Sequence, residues 1–309
     1  VYTLAAATRL DVDTLADHLD AAADERIIVA DSANGGYVFA HGLLRDEVLE
    51  AIPTLRRQRI HARVAEVLEN SSDPDRLSRR AQHLMSALPL VDPLVVLEAC
   101  TAAAQDATDR WSSETAAEWW EAAVRAFDLL PVSQQSADDR DDLLVARVEA
   151  LARAGRGQTV LDVVNAGLLE AVREGRTSAV GRLAGALLRA AGAWPWVSYG
   201  TDPGPLLERL AAVEPLVEND SSAHARVLAA LAVGSCYHPE AEIPNRWSAR
   251  ALDIARELDD PDVIADALLG RILLFSGVAV HSAESMRLLR ELFELPHQQS
   301  RVDSVVAHA

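Results

Sequence analysis

The sequence contains no lysine, because all 29 of its basic residues are arginine. Acidic residues number 47, so the formal net charge is −18. Such a charge repels a phosphate backbone, and direct binding of nucleic acid by this chain is not expected. Aromatic residues are also scarce, at 5%, although 50% of the sequence is hydrophobic. Alanine and leucine dominate that hydrophobic half, which favours closely packed helices over sheets.

Cysteine and long apolar runs are scarce as well. Cys100 and Cys236 lie far apart and form no CxxC pair, so neither a disulfide framework nor a structural zinc site is expected. No apolar run approaches the roughly 20 residues of a membrane span, and Val1 does not open a signal peptide. We therefore expect a cytoplasmic protein without membrane contact, cut from a longer multidomain chain.

The sequence also lacks the short motifs that accompany common catalytic sites. It contains no GxxxxGK[ST] phosphate-binding loop, no HExxH, no GxSxG and no GxGxxG after a strand. Its nine histidines are scattered, with no pair at metal-ligand spacing near cysteines or carboxylates. We predict no catalytic residue, no metal site and no enzyme activity for this chain itself.

The clearest local pattern is a hairpin followed by two helices. Residues 27–29 and 37–39 are short apolar runs, separated by a turn in which residues 34–36, Asn-Gly-Gly, supply the positive φ that a hairpin needs. Apolar residues then recur at helical spacing in residues 44–52 and again in residues 60–68. The segment therefore predicts a β-hairpin, a helix and a second helix.

Within this segment, FAHGLLRDEV at residues 39–48 and RRQRIHARVA at residues 56–65 resemble the end of the winged-helix region in STAND-type P-loop ATPases. The resemblance is greatest to the large ATP-binding regulators of the LuxR family in actinobacteria. In such proteins a nucleotide-binding domain and a winged helix precede a long helical-repeat arm and often a C-terminal DNA-binding helix-turn-helix. The resemblance implies that ATP or ADP is bound by a domain outside this chain.

Together these patterns predict an all-α chain. Residues 1–70 are expected to form a small winged-helix-like domain with one β-hairpin, and residues 71–309 an α-solenoid of tetratricopeptide-like helical hairpins. In the best repeat, small residues let two antiparallel helices approach and an aromatic residue fills the groove between them. The small residues are Ala104, Ala116 and Ala123, and the aromatic residue is Trp120.

His41 and Arg45 are the first candidate site, because they lie four residues apart on one helix face beside the hairpin. In STAND ATPases the winged-helix histidine at the matching place often approaches the phosphates of bound ADP and holds the closed, inactive state. The resemblance therefore implies a nucleotide-phosphate contact for His41 and Arg45 when the nucleotide-binding domain is present. The alternative is that the two residues cap the helix and brace the hairpin.

A basic cluster follows on the second helix of the segment. It could meet phosphate or an acidic partner, or it could be a solvated face paired with Glu66 and Glu69. Its members are Arg56, Arg57, Arg59, His61 and Arg63.

Trp194, Trp196 and Tyr199 are a further candidate site, for a ligand or a protein partner. They lie in a stretch too rich in proline and glycine for regular structure. Rigid aromatics on a loop suit a recognition platform, but they could equally plug a junction between solenoid segments.

The resemblance implies that the chain is the sensing and protein-interaction arm of an ATP-dependent bacterial transcriptional regulator. A protein or a small-molecule inducer would bind the solenoid, and the arm would pass that event to the nucleotide-binding domain, with self-association as one response. One alternative is the regulatory solenoid of a fused signalling enzyme, such as a nucleotide cyclase or a kinase. Another is a free-standing protein-binding scaffold.

Overall fold

The computed structural model describes residues 1–31, 36–189, 200–276 and 278–296. These residues form fifteen helices and one two-stranded antiparallel hairpin, which confirms the predicted all-α class with a single hairpin. None of the helices in these ranges combines the length and the apolarity that crossing a bilayer requires.

The chain divides into two compact units. Unit 1 consists of residues 1–109 and 125–133, and unit 2 of residues 110–124 together with residues 134 onward. The predicted domain boundary at residue 70 is not tested by this division and stays a prediction.

Unit 1 begins with helices whose ends are fixed by local hydrogen bonds. The Asp11 carboxylate accepts a hydrogen bond from the backbone N–H of Thr14 at 2.8 Å, which caps the second helix. Helix α1 packs against α2 and α4, and α4 packs closely against α5. The elements are α1 (Tyr2–Thr8), α2 (Val12–Asp24), β1 (Ile28–Asp31), β2 (Gly36–Phe39), α3 (Gly42–Ala51), α4 (Thr54–Glu69), α5 (Arg76–Ala87) and α6 (Pro93–Asp109).

The predicted hairpin is present. Strands β1 and β2 pair antiparallel, from Ile28 opposite Phe39 to Asp31 opposite Gly36. The predicted turn residues Asn34 and Gly35 lie outside the described residues.

Unit 2 alternates helices of two kinds along the chain. Helices α8, α10, α12 and α14 pack in succession against one another, and we call them the inner layer; α9, α11, α13 and α15 each pack against one or two of them. This alternation is the arrangement of stacked helical hairpins. The elements are α7 (Ser113–Phe127, whose last three residues belong to unit 1), α8 (Ala137–Arg153), α9 (Gly157–Arg173), α10 (Thr177–Arg189), α11 (Gly204–Val213), α12 (Ser221–Gly234), α13 (Glu242–Leu258), α14 (Pro261–Phe275) and α15 (Ser282–Glu294).

Two turns of unit 2 repeat the same chemistry twenty residues apart. Gly155 and Gly175 take positive φ values of 70° and 69°, and each follows a helix end. The next N–H in each turn, of Arg156 and of Arg176, returns to a helix carbonyl at 3.0 and 2.9 Å. This left-handed C-terminal cap favours glycine because a side chain is strained at that φ. The Gly-Arg-Gly sequence at residues 155–157 indicates a turn at the first of these positions.

Small residues bring the inner layer together. A Cβ added to Gly181 of α10 would lie 2.8 Å from the Cα of Ala223 in α12. A Cβ added to Gly270 of α14 would lie 2.9 Å from the Cβ of Ala229 in α12. With any larger residue at these two glycines, α10 and α14 could not approach α12 this closely.

The strongest predicted repeat corresponds to α6 and α7. Both helices form, and the predicted small residues Ala104, Ala116 and Ala123 are buried. Trp120, which was expected to fill a groove, is only half-buried. The tetratricopeptide-like pairing of α6 with α7 stays a prediction.

Candidate functional site

His41 stands at the N-terminus of α3, where its carbonyl accepts hydrogen bonds from the backbone of Leu44 and Arg45 at 3.1 and 3.4 Å. Its side chain makes no capping hydrogen bond, so the alternative role as a helix cap gains no support. Both His41 and Arg45 are exposed, and the Arg45 guanidinium bonds to neighbouring Asp46 at 2.8 Å. The two candidate side chains are therefore open to an incoming group.

Helix α3 leaves several apolar residues uncovered beside these two residues, and none of its residues is buried. Leu43 is 80% exposed, and Leu44, Val48 and Leu49 are 37%, 43% and 39% exposed. We call these four residues the α3 surface; they are spread around much of the helix, and Leu44 and Val48 share one face. Exposed apolar residues in such number are ordinarily covered by something else.

The basic cluster on α4 does not form the predicted ion pairs with Glu66 and Glu69. Glu69 forms its ion pair with Arg80 of α5 at 3.1 Å, and among the described residues neither Glu66 nor Glu69 pairs with a cluster arginine. Arg56 and Arg59 are exposed, and the Nε of Arg63 is buried without a hydrogen-bond partner. The pairing expectation was wrong because the cross-helix partner on α5 captures Glu69.

Arg57 differs from its neighbours in the cluster. Its Nη1 donates to the carbonyl of Leu49 at 3.3 Å, so it ties the start of α4 to the end of α3. The remaining cluster arginines, Arg56, Arg59 and Arg63, recur at intervals of three and four residues and share one face of α4. We call these three residues the arginine stripe.

His61 of α4 and His83 of α5 join the two helices through their imidazoles. Their Nδ1 atoms lie 2.8 Å apart and their ring centroids 5.0 Å apart. Such a contact needs one donor and one acceptor, so it requires at least one neutral ring. Burial, the neighbouring His61 and Arg79 lower the pKa of His83 from 6.5 to about 4. Burial and Arg57 also lower the pKa of His61.

This histidine pair predicts a pH dependence of stability. The folded pKa of His83 lies below the unfolded one, so the unfolded chain binds more protons between them. Stability is therefore complete above about pH 6.5 and falls as the pH drops toward 4. For a partly exposed ring we expect a loss of about 1 to 2 kcal/mol over that range.

The measurement is the free energy of unfolding, from urea denaturation at several pH values. In His83→Gln the stability should fall less between pH 7 and pH 5 than in the parent chain. His18→Gln removes an exposed histidine of α2 and serves as the matched control. Parallel pH curves for the parent chain and His83→Gln would contradict the assignment.

The aromatic candidates Trp194, Trp196 and Tyr199 lie outside the described residues. Their role as a ligand or partner platform stays a prediction, as does their alternative role as a plug.

Sequence reasoning missed the buried ion network of unit 2. Asp266 of α14 has no exposed surface, and its carboxylate accepts hydrogen bonds from Arg226 of α12 at 2.7 Å and Arg189 of α10 at 3.1 Å. Arg189 also donates to Glu149 of α8 at 2.7 Å. Burial alone would lower the pKa of Arg189, but Asp266 and Glu149 outweigh it and raise that pKa. Two carboxylates and two guanidiniums thus compensate one another across all four inner helices.

A missing side chain makes room for this network. A Cβ added to Gly185 would lie 2.9 Å from Oδ2 of Asp266 and 3.0 Å from Nη1 of Arg189. The signal in the sequence was Asp266 itself, a carboxylate inside the apolar run VIADALLG, where an unpaired charge would be costly.

A second ion cluster lies at the other end of α8. Asp141 is 2% exposed and accepts hydrogen bonds from Arg182 at 3.0 Å and from Arg176. Arg182 also bonds to Asp138 and Asp142 at 2.9 and 2.8 Å. The cluster fixes α10 against the start of α8, and its geometry is that of a structural brace.

The buried Cys100 thiol lies in an environment that keeps it unreactive. Burial raises the pKa of the Cys100 thiol to about 11, so the thiol is protonated at neutral pH. In the described ranges, no three His, Cys, Asp or Glu side chains come together in a way that could hold a metal ion. No protein-family model matches the sequence, and no curated protein matches it.

Proposed function

We propose that the chain is the winged-helix and helical-repeat arm of a STAND-type, ATP-dependent transcriptional regulator of the LuxR family. The observation that carries the proposal is the α3 surface: four apolar residues stay uncovered beside exposed His41 and Arg45. A nucleotide-binding domain that precedes this chain would cover that surface. The regulator acts in the cytoplasm, and ATP hydrolysis and DNA binding belong to its other domains.

The residues near His41 fit an adenine nucleotide's phosphates. Helix α3 carries no acidic residue in its first turn, and the N-terminus of a helix favours anions. An imidazole and a guanidinium within one turn of it supply charge-assisted donors. The Asp46 carboxylate that holds Arg45 would have to release it when phosphate binds.

In this proposal unit 2 is the sensing arm. Its alternating helices offer an extended surface, and stacked helical hairpins commonly use such a surface to bind a protein or a small molecule. The buried ion pairs of the inner layer hold its four helices together, so that binding at one place can change the conformation of the whole unit. The inducer or partner would shift the balance between an ADP-held closed form and an ATP-bound open form.

The experiment is nucleotide retention by the protein with the segment encoded upstream of Val1. His41→Ala should weaken ADP affinity about tenfold, since one charge-assisted hydrogen bond is lost. His18→Ala, an exposed histidine of α2, is the matched control and should leave ADP affinity unchanged. Isothermal titration measures both. Equal ADP affinity in His41→Ala and the parent, or the absence of an ATP-binding domain upstream, would contradict the proposal.

A further inference from the structure

The arginine stripe of α4 stands out in an acidic chain. Residues 52–65 contain four arginines and no acidic residue. Arg56 and Arg59 are exposed, and the described residues offer no carboxylate partner to any of the three stripe arginines. Elsewhere in the described ranges, arginines such as Arg182 and Arg256 are held by carboxylates. Three unpaired guanidiniums on one helix face indicate an acidic partner.

Helix α2 of the same unit carries a complementary row. Residues 10–25 contain six acidic residues and no basic one. The four at intervals of four, three and four residues share one helix face, and we call them the aspartate stripe. All four are exposed, and in the described part of the chain none has an ion-pair partner. They are Asp13, Asp17, Asp20 and Asp24.

The two stripes have matching spacing. With a rise of about 1.5 Å per residue, the arginine stripe has intervals of about 4.5 and 6 Å. Asp17, Asp20 and Asp24 repeat those intervals in the same direction, and Asp20, Asp17 and Asp13 repeat them in the opposite direction. Three ion pairs can therefore form at once whichever way the helices run.

We propose that the arginine stripe docks on the aspartate stripe of a second copy of this chain. Within one copy the stripes form no ion pair with each other among the described residues: the four aspartates, Arg56 and Arg59 are exposed, and Arg63 is half-buried. The inference does not rest on the proposed function, because it needs neither nucleotide nor a further domain. The stripes lie on different helices, so the contact joins two unlike surfaces and either closes a two-fold pair or extends a row of copies.

A second copy fits the observations better than a nucleic acid does. The net charge of −18 repels a second copy and a phosphate backbone alike beyond a Debye length of about 8 to 10 Å. A second copy, however, also brings carboxylates at the spacing of the arginine stripe. Apolar side chains also border the stripes: Leu55 of α4 is 49% exposed, and Leu10 and Val12 beside α2 are 37% and 39% exposed. Apolar contact adds to affinity between proteins, while the ion pairs set the orientation.

The test is sedimentation velocity of the 309-residue chain over a concentration series without nucleotide, at about 0.15 M ionic strength, where the repulsion between two chains of net charge −18 is screened beyond about 8 Å. The parent chain should associate reversibly. Reversing one stripe, by Asp17→Arg with Asp20→Arg or by Arg56→Asp with Arg59→Asp, should weaken association at least about tenfold, because attraction becomes repulsion.

Mixing the two reversed variants gives the sharpest result. In one variant both stripes are then basic, and in the other both are acidic. The two variants should therefore bind each other in a 1:1 ratio, although neither associates with itself. Arg246→Asp with Arg250→Asp reverses two exposed arginines of α13 and changes the net charge as much as Arg56→Asp with Arg59→Asp does. That control should associate like the parent chain.

Three outcomes would overturn the proposal. One is that the parent chain stays a monomer at every concentration. Another is that neither stripe reversal changes the association, which is the result that unspecific contact between apolar surfaces would give. The third is a mixture of reversed variants that stays as dissociated as either alone. Binding of single-stranded nucleic acid to the arginine stripe in place of self-association would likewise count against it.

Discussion

Asp266→Ala is expected to lower the free energy of unfolding of unit 2 by about 3 to 5 kcal/mol. The substitution removes the fully buried carboxylate that both Arg189 and Arg226 contact. The two desolvated guanidiniums then keep their other contacts, to Glu149 and Ser222, but lose the charge that compensates them most directly. Urea denaturation followed by far-UV circular dichroism measures the change.

Two further variants test the cause of that loss. Asp253→Ala removes an exposed aspartate of α13 and should change stability by less than about 0.5 kcal/mol. Replacing Asp266, Arg189 and Arg226 together by leucine and two methionines removes the three most buried charges of the network and leaves Glu149, whose side chain is 27% exposed. This triple replacement should cost less than Asp266→Ala alone. If Asp266→Ala costs no more than Asp253→Ala, the network does not stabilise the inner layer.

Gly270→Ala is expected to destabilise unit 2 by about 1 to 3 kcal/mol. The added Cβ would lie 2.9 Å from the Cβ of Ala229 and 3.4 Å from its Cα, so α14 must move away from α12. A Gly-to-Ala change in a helix ordinarily stabilises by nearly 1 kcal/mol, and a loss therefore reports the close approach. Gly42→Ala, where an added Cβ meets nothing within 4 Å, is the control.

A double-mutant cycle separates crowding from helix propensity. Ala229→Gly removes the atom that the new Cβ would strike, so the double variant should be more stable than the sum of the two single changes by about 1 kcal/mol. Strict additivity would contradict close contact of α12 with α14. Gly181→Ala should cost at least as much as Gly270→Ala, because its added Cβ meets backbone, the Cα of Ala223, at 2.8 Å.

Local patterns predicted the secondary structure well because its causes are local. Apolar residues at helical spacing indicate the helices of residues 204–294, and proline at positions 244 and 261 lies in the first turns of α13 and α14. Gly155 marks a helix end because glycine takes a positive φ with the least strain. The hairpin followed from two apolar runs and a glycine-rich turn between them.

The ion networks could not be read from the sequence, because their partners are distant in it. Arg189 and Asp266 are 77 residues apart, and Arg226 and Asp266 are 40 residues apart. Only the packing of α10, α12 and α14 brings them together. The predicted pairing of Glu69 with arginines of its own helix was wrong for the same reason, because its partner Arg80 belongs to the next helix.

The candidate site stays a prediction. Helical spacing predicted that His41 and Arg45 share one face of a helix, whereas α3 begins at Gly42, and His41 precedes it in an extended conformation. Both residues are exposed. The sequence pattern could not reveal how little of α3 is covered by the described residues, because apolar spacing indicates only that burial is favourable. The nucleotide contact itself stays a proposal.

The proposed membership of this chain in a nucleotide-switched regulator is best tested by the mass of the full-length protein that contains it. Light scattering would be recorded with ADP and then with a slowly hydrolysed ATP analogue, at equal protein concentration. We expect the mass to grow when the ATP analogue replaces ADP. An unchanged mass, in a protein shown to bind both nucleotides, would rule out the nucleotide switch.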